Sequence, residues 1–247
     1  MQEVMPPGFY NMDCMEGMKQ FPDKFFDLAI VDPPYGTGGG YSQAKRDLES
    51  GLIDTENKVG GGIHYQRKNV RKPDGTWGYA NWRNVGGEIP KKIIEWDVAP
   101  GEDYFKELFR VSQNQIVWGA NYFSMPPSRN FVIWDKITIS ENFTMASVEY
   151  AWVSINGNAK IFRFPPGGQK DRFHPTQKPV ELYTWLLNRF ASTGYKILDT
   201  HVGSASSLIA CYRKNLPYWG FEIDKEYFEK ASERLQKEMN QVRFELD

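Results

Sequence analysis

Apolar residues fall along this chain in two patterns that alternate with each other. Short apolar runs have the length of buried strands, and longer stretches repeat their apolar positions at the helical period. The predicted strands of the first part cover 25–31, 115–121, 131–136 and 148–155. The predicted helices cover 15–21, 102–112 and 180–192. Alternating strands and helices predict an α/β fold.

The last part of the chain carries the clearest unit of this kind. A buried strand over 196–199 leads through a turn into a helix over 202–215, and a second strand follows over 218–224. The apolar positions of a final helix are Tyr227, Phe228, Ala231 and Leu235. Strand, helix and strand in this order form a βαβ unit, whose strands run parallel. We therefore predict about seven strands in a Rossmann-like, mostly parallel sheet with helices on both faces.

Residues 37–92 interrupt the alternation. They contain glycine clusters, few aliphatic residues and no clear period, so we interpret residues 1–247 as one domain with this long insertion. Between 65 and 92, seven positive residues stand against two negative ones, with aromatic residues among them. The basic pairs are Arg67, Lys68, Arg71 and Lys72. Such a mixture suits phosphate contacts and base stacking, although a solvated surface loop is the alternative.

Composition narrows the choice of partner. The formal net charge of the 247 residues is −1, so attraction to a polyanion requires a local basic patch. The two cysteines and three histidines stand at no ligand spacing, and we predict no metal site. The sequence shows neither a signal peptide nor a membrane span, so we expect a cytoplasmic protein with no membrane partner.

The stretch LAIVDPPY at 28–35 places an acid, two prolines and an aromatic ring directly after a buried strand. A carboxylate at Asp32 accepts hydrogen bonds, and Pro33 and Pro34 stiffen the carbonyls that follow it. The Tyr35 ring offers a stacking face. Together they suit a planar group with an NH2, because the acid and a carbonyl each accept one N–H. The alternative is a Pro-Pro pair that only ends the strand.

A second group of residues lies in the predicted βαβ unit. Asp199 ends one strand, and the small residues Gly203, Ser204 and Ser206 let backbone amides approach a ligand at the sheet edge. Glu222 ends the next strand about 20 residues later, where an acid can bind both ribose hydroxyls of a nucleoside. An ordinary βα turn with an exposed glutamate is the alternative.

The third stretch is HPTQKP at 174–179, an extended segment that leads into a helix. It presents a hydroxyl, an amide and the Lys178 ammonium, which together could bind a carboxylate. These three stretches together resemble the S-adenosylmethionine-dependent DNA amino-methyltransferases, in the permuted, beta-type order that places DPPY before the cofactor motif. The resemblance runs from about residue 11 to 235 and implies the methyltransferase form of the Rossmann-like fold.

The resemblance implies a role for each matching residue. Asp32, Pro33, Pro34 and Tyr35 would grip an adenine flipped out of double-stranded DNA, since the acidic form of the motif implies adenine. The cofactor S-adenosylmethionine would contact Asp13, Cys14, Lys178, Asp199, His201, Gly203, Ser204, Ser206 and Glu222. The resemblance also makes a homodimer possible, and it implies a site-specific enzyme of the kind found in restriction-modification.

The cofactor turn departs from the family pattern at two positions. His201 replaces an aromatic residue and Ala205 replaces a glycine, and a methyl group at position 205 could crowd the cofactor and lower its affinity. Three alternatives to adenine methylation in DNA therefore stay open: methylation of the cytosine N4 amine, methylation of RNA, and a DNA-binding module without catalysis. A nicotinamide-dependent oxidoreductase would need a fuller glycine fingerprint than Gly203 provides.

Overall fold

A computed structural model describes residues 4–36, 69–71, 77–79, 98–139, 146–166, 172–174 and 176–244. The chain divides into two compact units. The first unit comprises Met1–Pro33, Pro100–Thr138 and Ser147–Asp247. The second comprises Pro34–Ala99 and Ile139–Ala146, and so includes the predicted insertion 37–92. One domain over the whole chain stays a prediction.

Eight strands and five helices of the described residues belong to the first unit. The strands are β1 (Gly8–Asn11), β2 (Phe26–Val31), β5 (Ser112–Trp118), β6 (Phe131–Asp135), β7 (Val148–Val153), β8 (Lys160–Arg163), β9 (Ile197–Asp199) and β10 (Tyr218–Glu222). The helices are α1 (Cys14–Met18), α2 (Glu102–Val111), α3 (Val180–Phe190), α4 (Ser206–Arg213) and α5 (Lys225–Phe244). None of the helices in the described ranges combines the length and apolar character that a membrane span needs.

The eight strands form one sheet in the order β1-β10-β9-β2-β5-β7-β6-β8. Neighbours from β1 to β5 pair in parallel, whereas β7 runs antiparallel to both β5 and β6. The chain leaves β9 through α4 toward β10 on one side, and leaves β2 through α2 toward β5 on the other. The boundary between β9 and β2 is therefore the point of the sheet where ligands of α/β proteins bind.

Side chains that alternate along the strands pack into two cores, one on each face of the sheet. In β2, Leu28 and Ile30 belong to the core that α3, α4 and α5 cover. Ala29 and Val31 belong to the core that α1 and α2 cover. The central strands are thus buried on both faces, which explains why they read as continuous apolar runs. The Rossmann-like α/β fold with helices on both faces is confirmed.

The second unit contains a two-stranded antiparallel sheet of β3 (Asn69–Arg71) and β4 (Trp77–Tyr79). Asn69 pairs with Tyr79, and Arg71 pairs with Trp77. No period was evident over 37–92, whereas the structure has strands at these six positions. Val70 and the two aromatic residues of β4 favour strands, but three residues are too few to reveal a period.

Two strands of the large sheet were not predicted. Both β1 and β8 have four residues and lie at the two edges of the sheet. Neither is an apolar run, because an edge strand needs less apolar surface than a central one. The other elements lie within a few residues of their predicted bounds, the largest shift being α4, which begins at Ser206 after an irregular turn.

Candidate active site

Three predicted site residues lie at the carboxyl ends of adjacent parallel strands. Asp32 follows β2, Asp199 is the last residue of β9, and Glu222 is the last residue of β10. Because β10, β9 and β2 are adjacent and parallel, these carboxylates share one edge of the sheet. The carboxyl groups of Asp32 and Glu222 both act on the pKa of Asp199. The structure therefore brings together the acids that the sequence separates.

Four alternating charges run outward from Asp32, and we call Asp32, Lys178, Glu149 and Lys136 the charge chain. The Lys178 ammonium donates to Asp32 Oδ2 and lies 3.0 Å from Glu149 Oε2. Lys136 Nζ lies 2.6 Å from Glu149 Oε1. The lysine side chains are only 3% and 7% exposed, for Lys178 and Lys136 in turn. The charge chain therefore contains two ammonium groups and two carboxylates, and their charges balance.

The strand order explains how these distant residues meet. Since β7 is antiparallel to β5, its first residues, including Glu149, lie at the edge where β5 ends. Lys136 directly follows β6, whose Trp134 pairs with Glu149. Lys178 arrives from the segment before α3 and lies 5.4 Å from the centre of the Trp118 ring at the end of β5. An aromatic face beside an ammonium adds a favourable contact.

Burial and charge act against each other in this chain of charges. Burial by itself lowers the pKa of Lys178, but Asp32 and Glu149 outweigh it and the pKa is raised. Burial raises the pKa of Glu149, but Lys178 and Lys136 outweigh it and the pKa is lowered. Lys178 and Glu149 therefore both stay ionised at neutral pH.

Asp199 is buried among neutral donors. Its Oδ1 accepts from the His201 backbone N–H at 3.0 Å, and its Oδ2 accepts from the Ser207 hydroxyl. Burial raises the pKa of Asp199 to about 7, although both hydrogen bonds oppose that shift. The Asp199 carboxyl thus changes its charge near neutral pH. The sequence predicted Asp199 as a site residue but gave no indication of its raised pKa.

His201 stands on the same turn and is linked to α2. Its Nδ1 lies 2.9 Å from Thr200 Oγ1, which in turn lies 2.6 Å from the Tyr104 hydroxyl. The Tyr104 and His201 rings meet edge to face at 5.4 Å between centres. Burial lowers the pKa of His201 to about 4, so the ring is neutral at pH 7. His201 is therefore an uncharged aromatic ring at neutral pH.

Glu222 joins the turn to the start of α5. Its Oε2 accepts from the Gly203 N–H and its Oε1 accepts from the Asp224 N–H, both at 2.9 Å. Burial raises the pKa of Glu222. Each carboxylate oxygen can accept a second hydrogen bond, so capacity for two ligand hydroxyls is left.

The HPTQKP segment contacts both the cofactor turn and Asp32. A side chain added at Gly203 (φ +55°) would place its Cβ 3.3 Å from the His174 ring, so the two residues are closely packed. The His174 ring also meets the Tyr227 ring at 4.5 Å. Four residues later, Lys178 pairs with Asp32. Contact between Lys178 and a cofactor carboxylate stays a prediction, because the ammonium is already paired with two acids.

Ala205 lies in the middle of the cofactor turn and is strained. Ala205 takes a left-handed conformation (φ +63°) and is 0% exposed, with its methyl group in the core. Crowding of a cofactor by this methyl stays a prediction. Ser204 and Ser206 flank it, and Arg234 Nη1 donates to the Ser204 carbonyl at 2.6 Å and to the Ser206 hydroxyl at 2.9 Å. An arginine of α5 thus fixes the turn on both sides of a strained residue.

Asp13 and Cys14 lie at the same edge, at the start of α1. Asp13 caps this helix by accepting from the Met15 N–H at 2.7 Å. Cys14 is half-buried, and burial together with Asp13 raises the pKa of its thiol to about 12. The thiol is therefore protonated and unreactive at neutral pH. Their contact with the cofactor's adenine stays a prediction.

The remaining predicted site residues belong to the DPPY stretch and to the basic segment. Pro33 ends a segment of the first unit, whereas Pro34 and Tyr35 fall in the second. Arg67, Lys68 and Lys72 lie outside the described residues, and of Arg71 only the backbone in β3 is described.

Sequence reasoning missed Glu149, Lys136, Tyr104 and Arg234. A signal existed only for Glu149 and Lys136, since each is a charge within or next to an apolar strand.

This chain is similar to known proteins of one family. Residues 61–233 match the family described as DNA methylase, and the match covers more than half of the chain. The chain therefore belongs to the N6/N4 DNA methylase family, which confirms the resemblance. The type II methyltransferase M.HpaI of Haemophilus parainfluenzae is 26% identical over 92% of this chain and 74% of that protein. M2.MboI of Moraxella bovis is 24% identical over 92% of this chain and 86% of that protein.

Two solved structures share the fold. The crystal structure of the M1.HpyAVI–SAM complex has a TM-score of 0.52 at 17% identity, covering 92% of this chain and 98% of that one. The PvuII DNA methyltransferase, described as cytosine-N4-specific, has a TM-score of 0.51 at 12% identity, covering 97% and 93%. At such identities the likeness is evidence for the fold alone.

Proposed function

We propose that this DNA methylase transfers a methyl group from S-adenosylmethionine to the N6 amine of an adenine flipped out of double-stranded DNA. One observation carries the proposal: Asp32 stands next to the Asp199 turn, at the boundary of β9 and β2. An acceptor for an amine and a turn suited to a nucleoside thus meet at the position where α/β sheets bind ligands.

The residues of the turn suit S-adenosylmethionine. Glu222 has acceptor capacity for both ribose hydroxyls, and the absence of a side chain at Gly203 lets the His174 ring pack against the turn. Neutral His201 offers an aromatic surface. When bound, the cofactor supplies an electrophilic methyl group on a positively charged sulfur.

Asp32 prepares the amine for attack. Its carboxylate accepts one N–H of the base, and the Pro33 carbonyl accepts the other, which turns the nitrogen lone pair away from conjugation with the ring. The lone pair then points toward the methyl group in an in-line displacement. Positioning and a fixed negative charge provide the acceleration. Stacking of the Tyr35 ring on the base rests on the motif alone.

The choice of adenine rests on the acid at position 32, since the resemblance links an acid there to adenine and serine to cytosine. The fold by itself does not select adenine, because the PvuII DNA methyltransferase, described as cytosine-N4-specific, shares it. Cytosine methylation, RNA methylation and an inactive DNA-binding module are the competing outcomes of the test below.

The decisive experiment is methylation mapping. The protein and its Asp32→Ala variant are expressed in a bacterium that lacks DNA methylation, and genomic DNA is sequenced by a method that detects methyladenine and methylcytosine. Asp103→Ala is the matched control, because Asp103 is 89% exposed on α2. We expect methyladenine in one short motif with the wild type and the control, and none with Asp32→Ala.

Other results contradict the proposal in distinct ways. Methylcytosine in place of methyladenine would show that cytosine is the target base. Transfer of label from tritiated cofactor to RNA, with DNA left unmodified, would identify RNA rather than DNA as the substrate. Soluble protein that binds DNA and modifies neither base would indicate a binding module.

The basic residues Arg67, Lys68, Arg71 and Lys72 are proposed to contact DNA phosphates. Replacing all four with alanine is expected to make the slope of log K against log salt less negative by roughly 3–4, at about 0.9 for each lost contact. An unchanged slope would exclude them from the DNA interface.

A further inference from the structure

The charge chain places one buried ammonium between two acids. Lys178 Nζ pairs with Asp32 Oδ2 and lies 3.0 Å from Glu149 Oε2. A side chain only 3% exposed has little water to balance its charge, so its two carboxylates must do so. The negative charge that Asp32 presents to its surroundings therefore depends on how strongly Glu149 also attracts Lys178.

Glu149 is itself shared. Its other oxygen lies 2.6 Å from Lys136 Nζ, and this lysine is 7% exposed. Lys136 thus competes with Lys178 for Glu149, just as Glu149 competes with Asp32 for Lys178. Removing one charge must shift the balance at Asp32, and the direction depends on which charge is removed.

The charge at Asp32 matters for amine methylation because positive charge moves toward it. The amine nitrogen donates its lone pair to the methyl carbon, and the electron pair of the carbon–sulfur bond remains on sulfur as a neutral thioether. The nitrogen then carries the positive charge until its proton leaves to Asp32 and from there to solvent. A carboxylate neutralised by a close ammonium would stabilise this charge less well.

We propose that Glu149 is a positioning residue, which draws the Lys178 ammonium partly away from Asp32, and that Lys136 limits this pull. The inference rests on the proposed function of the site. It predicts opposite effects for the two outer residues. Losing Glu149 leaves Lys178 to Asp32 alone and slows methylation, whereas losing Lys136 strengthens the pull of Glu149 on Lys178 and does not slow it.

The test compares Glu149→Gln, Lys136→Met and the double variant with the wild type. Tritiated S-adenosylmethionine and genomic DNA from a methylation-free bacterium, both saturating, give the single-turnover rate of transfer. We expect Glu149→Gln to be roughly tenfold slower, which corresponds to about 1.4 kcal/mol in the barrier. Lys136→Met should be as fast as the wild type or faster, and the double variant should stay slow. Glu102→Gln, at a side chain 90% exposed on α2, is the matched control.

Structural and functional losses can be separated. Glu149→Gln leaves Lys136 without its acid, so the double variant should recover thermal stability but not rate. Cofactor and DNA dissociation constants should stay within twofold of the wild type. Should Glu149→Gln fail to fold, the double variant serves instead, since it leaves neither Glu149 nor Lys136 unpaired and should still be roughly tenfold slower than the wild type. Glu149→Asp retains the charge and should methylate within about threefold of the wild type.

Two outcomes would overturn the inference. Equal slowing by Glu149→Gln and Lys136→Met would assign both residues a purely structural role, as would recovery of the rate in the double variant. Failure of the proposed function itself is a separate result, because the wild type would then transfer no label to any amine.

Discussion

The charge chain and the cofactor turn bury carboxylates at the same sheet edge, with different groups facing them. In the charge chain, ammonium groups face Asp32 and Glu149. In the turn, a serine hydroxyl and backbone N–H groups face Asp199 and Glu222. The pKa of Glu149 is lowered as a result, whereas burial raises the pKa of Asp199 to about 7.

The different partners of these carboxylates decide which part of the sheet edge responds to pH. Partners of opposite charge keep Glu149 and Lys178 ionised across the neutral range, so the charges of these two groups are fixed. Neutral donors leave Asp199 to titrate near pH 7, and burial lowers the pKa of His201, two residues later, to about 4. We therefore expect mutations in the charge chain to act at all pH values, and mutations in the turn to act in a limited pH window.

The largest effect is expected from Lys178→Met. It leaves Asp32 and Glu149 buried without their shared ammonium and should lower the free energy of unfolding by roughly 3–5 kcal/mol. Urea unfolding at pH 8 measures it. Lys106→Met, whose side chain is 69% exposed, is the control. Adding Asp32→Asn should restore part of the loss, and no recovery in that double variant would contradict the electrostatic explanation.

Asp199→Asn should abolish a pH dependence. The unfolded state loses the Asp199 proton near its ordinary pKa of 3.8, whereas the folded state keeps it to about 7. Between those values the folded state binds more protons, so the wild type loses stability as pH rises, by roughly 4 kcal/mol in total. The difference in unfolding free energy, variant minus wild type, should therefore increase from pH 4 to pH 8. A constant difference would show that Asp199 is ionised throughout.

His201→Phe should act on the acid side. Because the pKa of His201 is lowered to about 4, the unfolded state binds its proton first as pH falls from 6.5. This residue therefore costs the wild type roughly 3 kcal/mol of stability by pH 4, and the phenylalanine variant should not lose it. His174 contributes equally to both proteins, so their difference isolates His201. Equal acid sensitivity in thermal melts at pH 4.5 and 7.5 would contradict the prediction.

The smallest effect concerns the strained turn. Arg234→Ala removes hydrogen bonds to Ser204 and Ser206 and should cost roughly 1–2 kcal/mol of unfolding free energy. The loss should be smaller by about 0.5 kcal/mol or more in an Ala205→Gly background, since glycine adopts the left-handed conformation without strain. Arg213→Ala, on the exposed Glu238 pair, is the control. Additive losses would show that Arg234 does not stabilise the Ala205 conformation.

Much of the sheet was predictable because its central strands carry local signals. The run that ends at Asp32 and the βαβ unit from β9 to β10 both show apolar strands next to polar, small-residue turns. Strands at the sheet edges gave no such signal. The four residues of β1 and of β8 acquire strand structure from pairing with β10 and β6, which lie far away in the sequence.

The α/β class, the DPPY and HPTQKP motifs, and the acids at the ends of β2, β9 and β10 could all be recognised from the sequence alone. Each of these depends on neighbouring residues and on the periods of strands and helices. Only the tertiary structure decided that Lys178 pairs with Asp32 across 146 residues, that Glu149 shares this ammonium, and that the Ala205 methyl lies in the core. The partner of a buried charge is set by strand order and by the surface that folding removes from water, and neither is written in any local stretch of the chain.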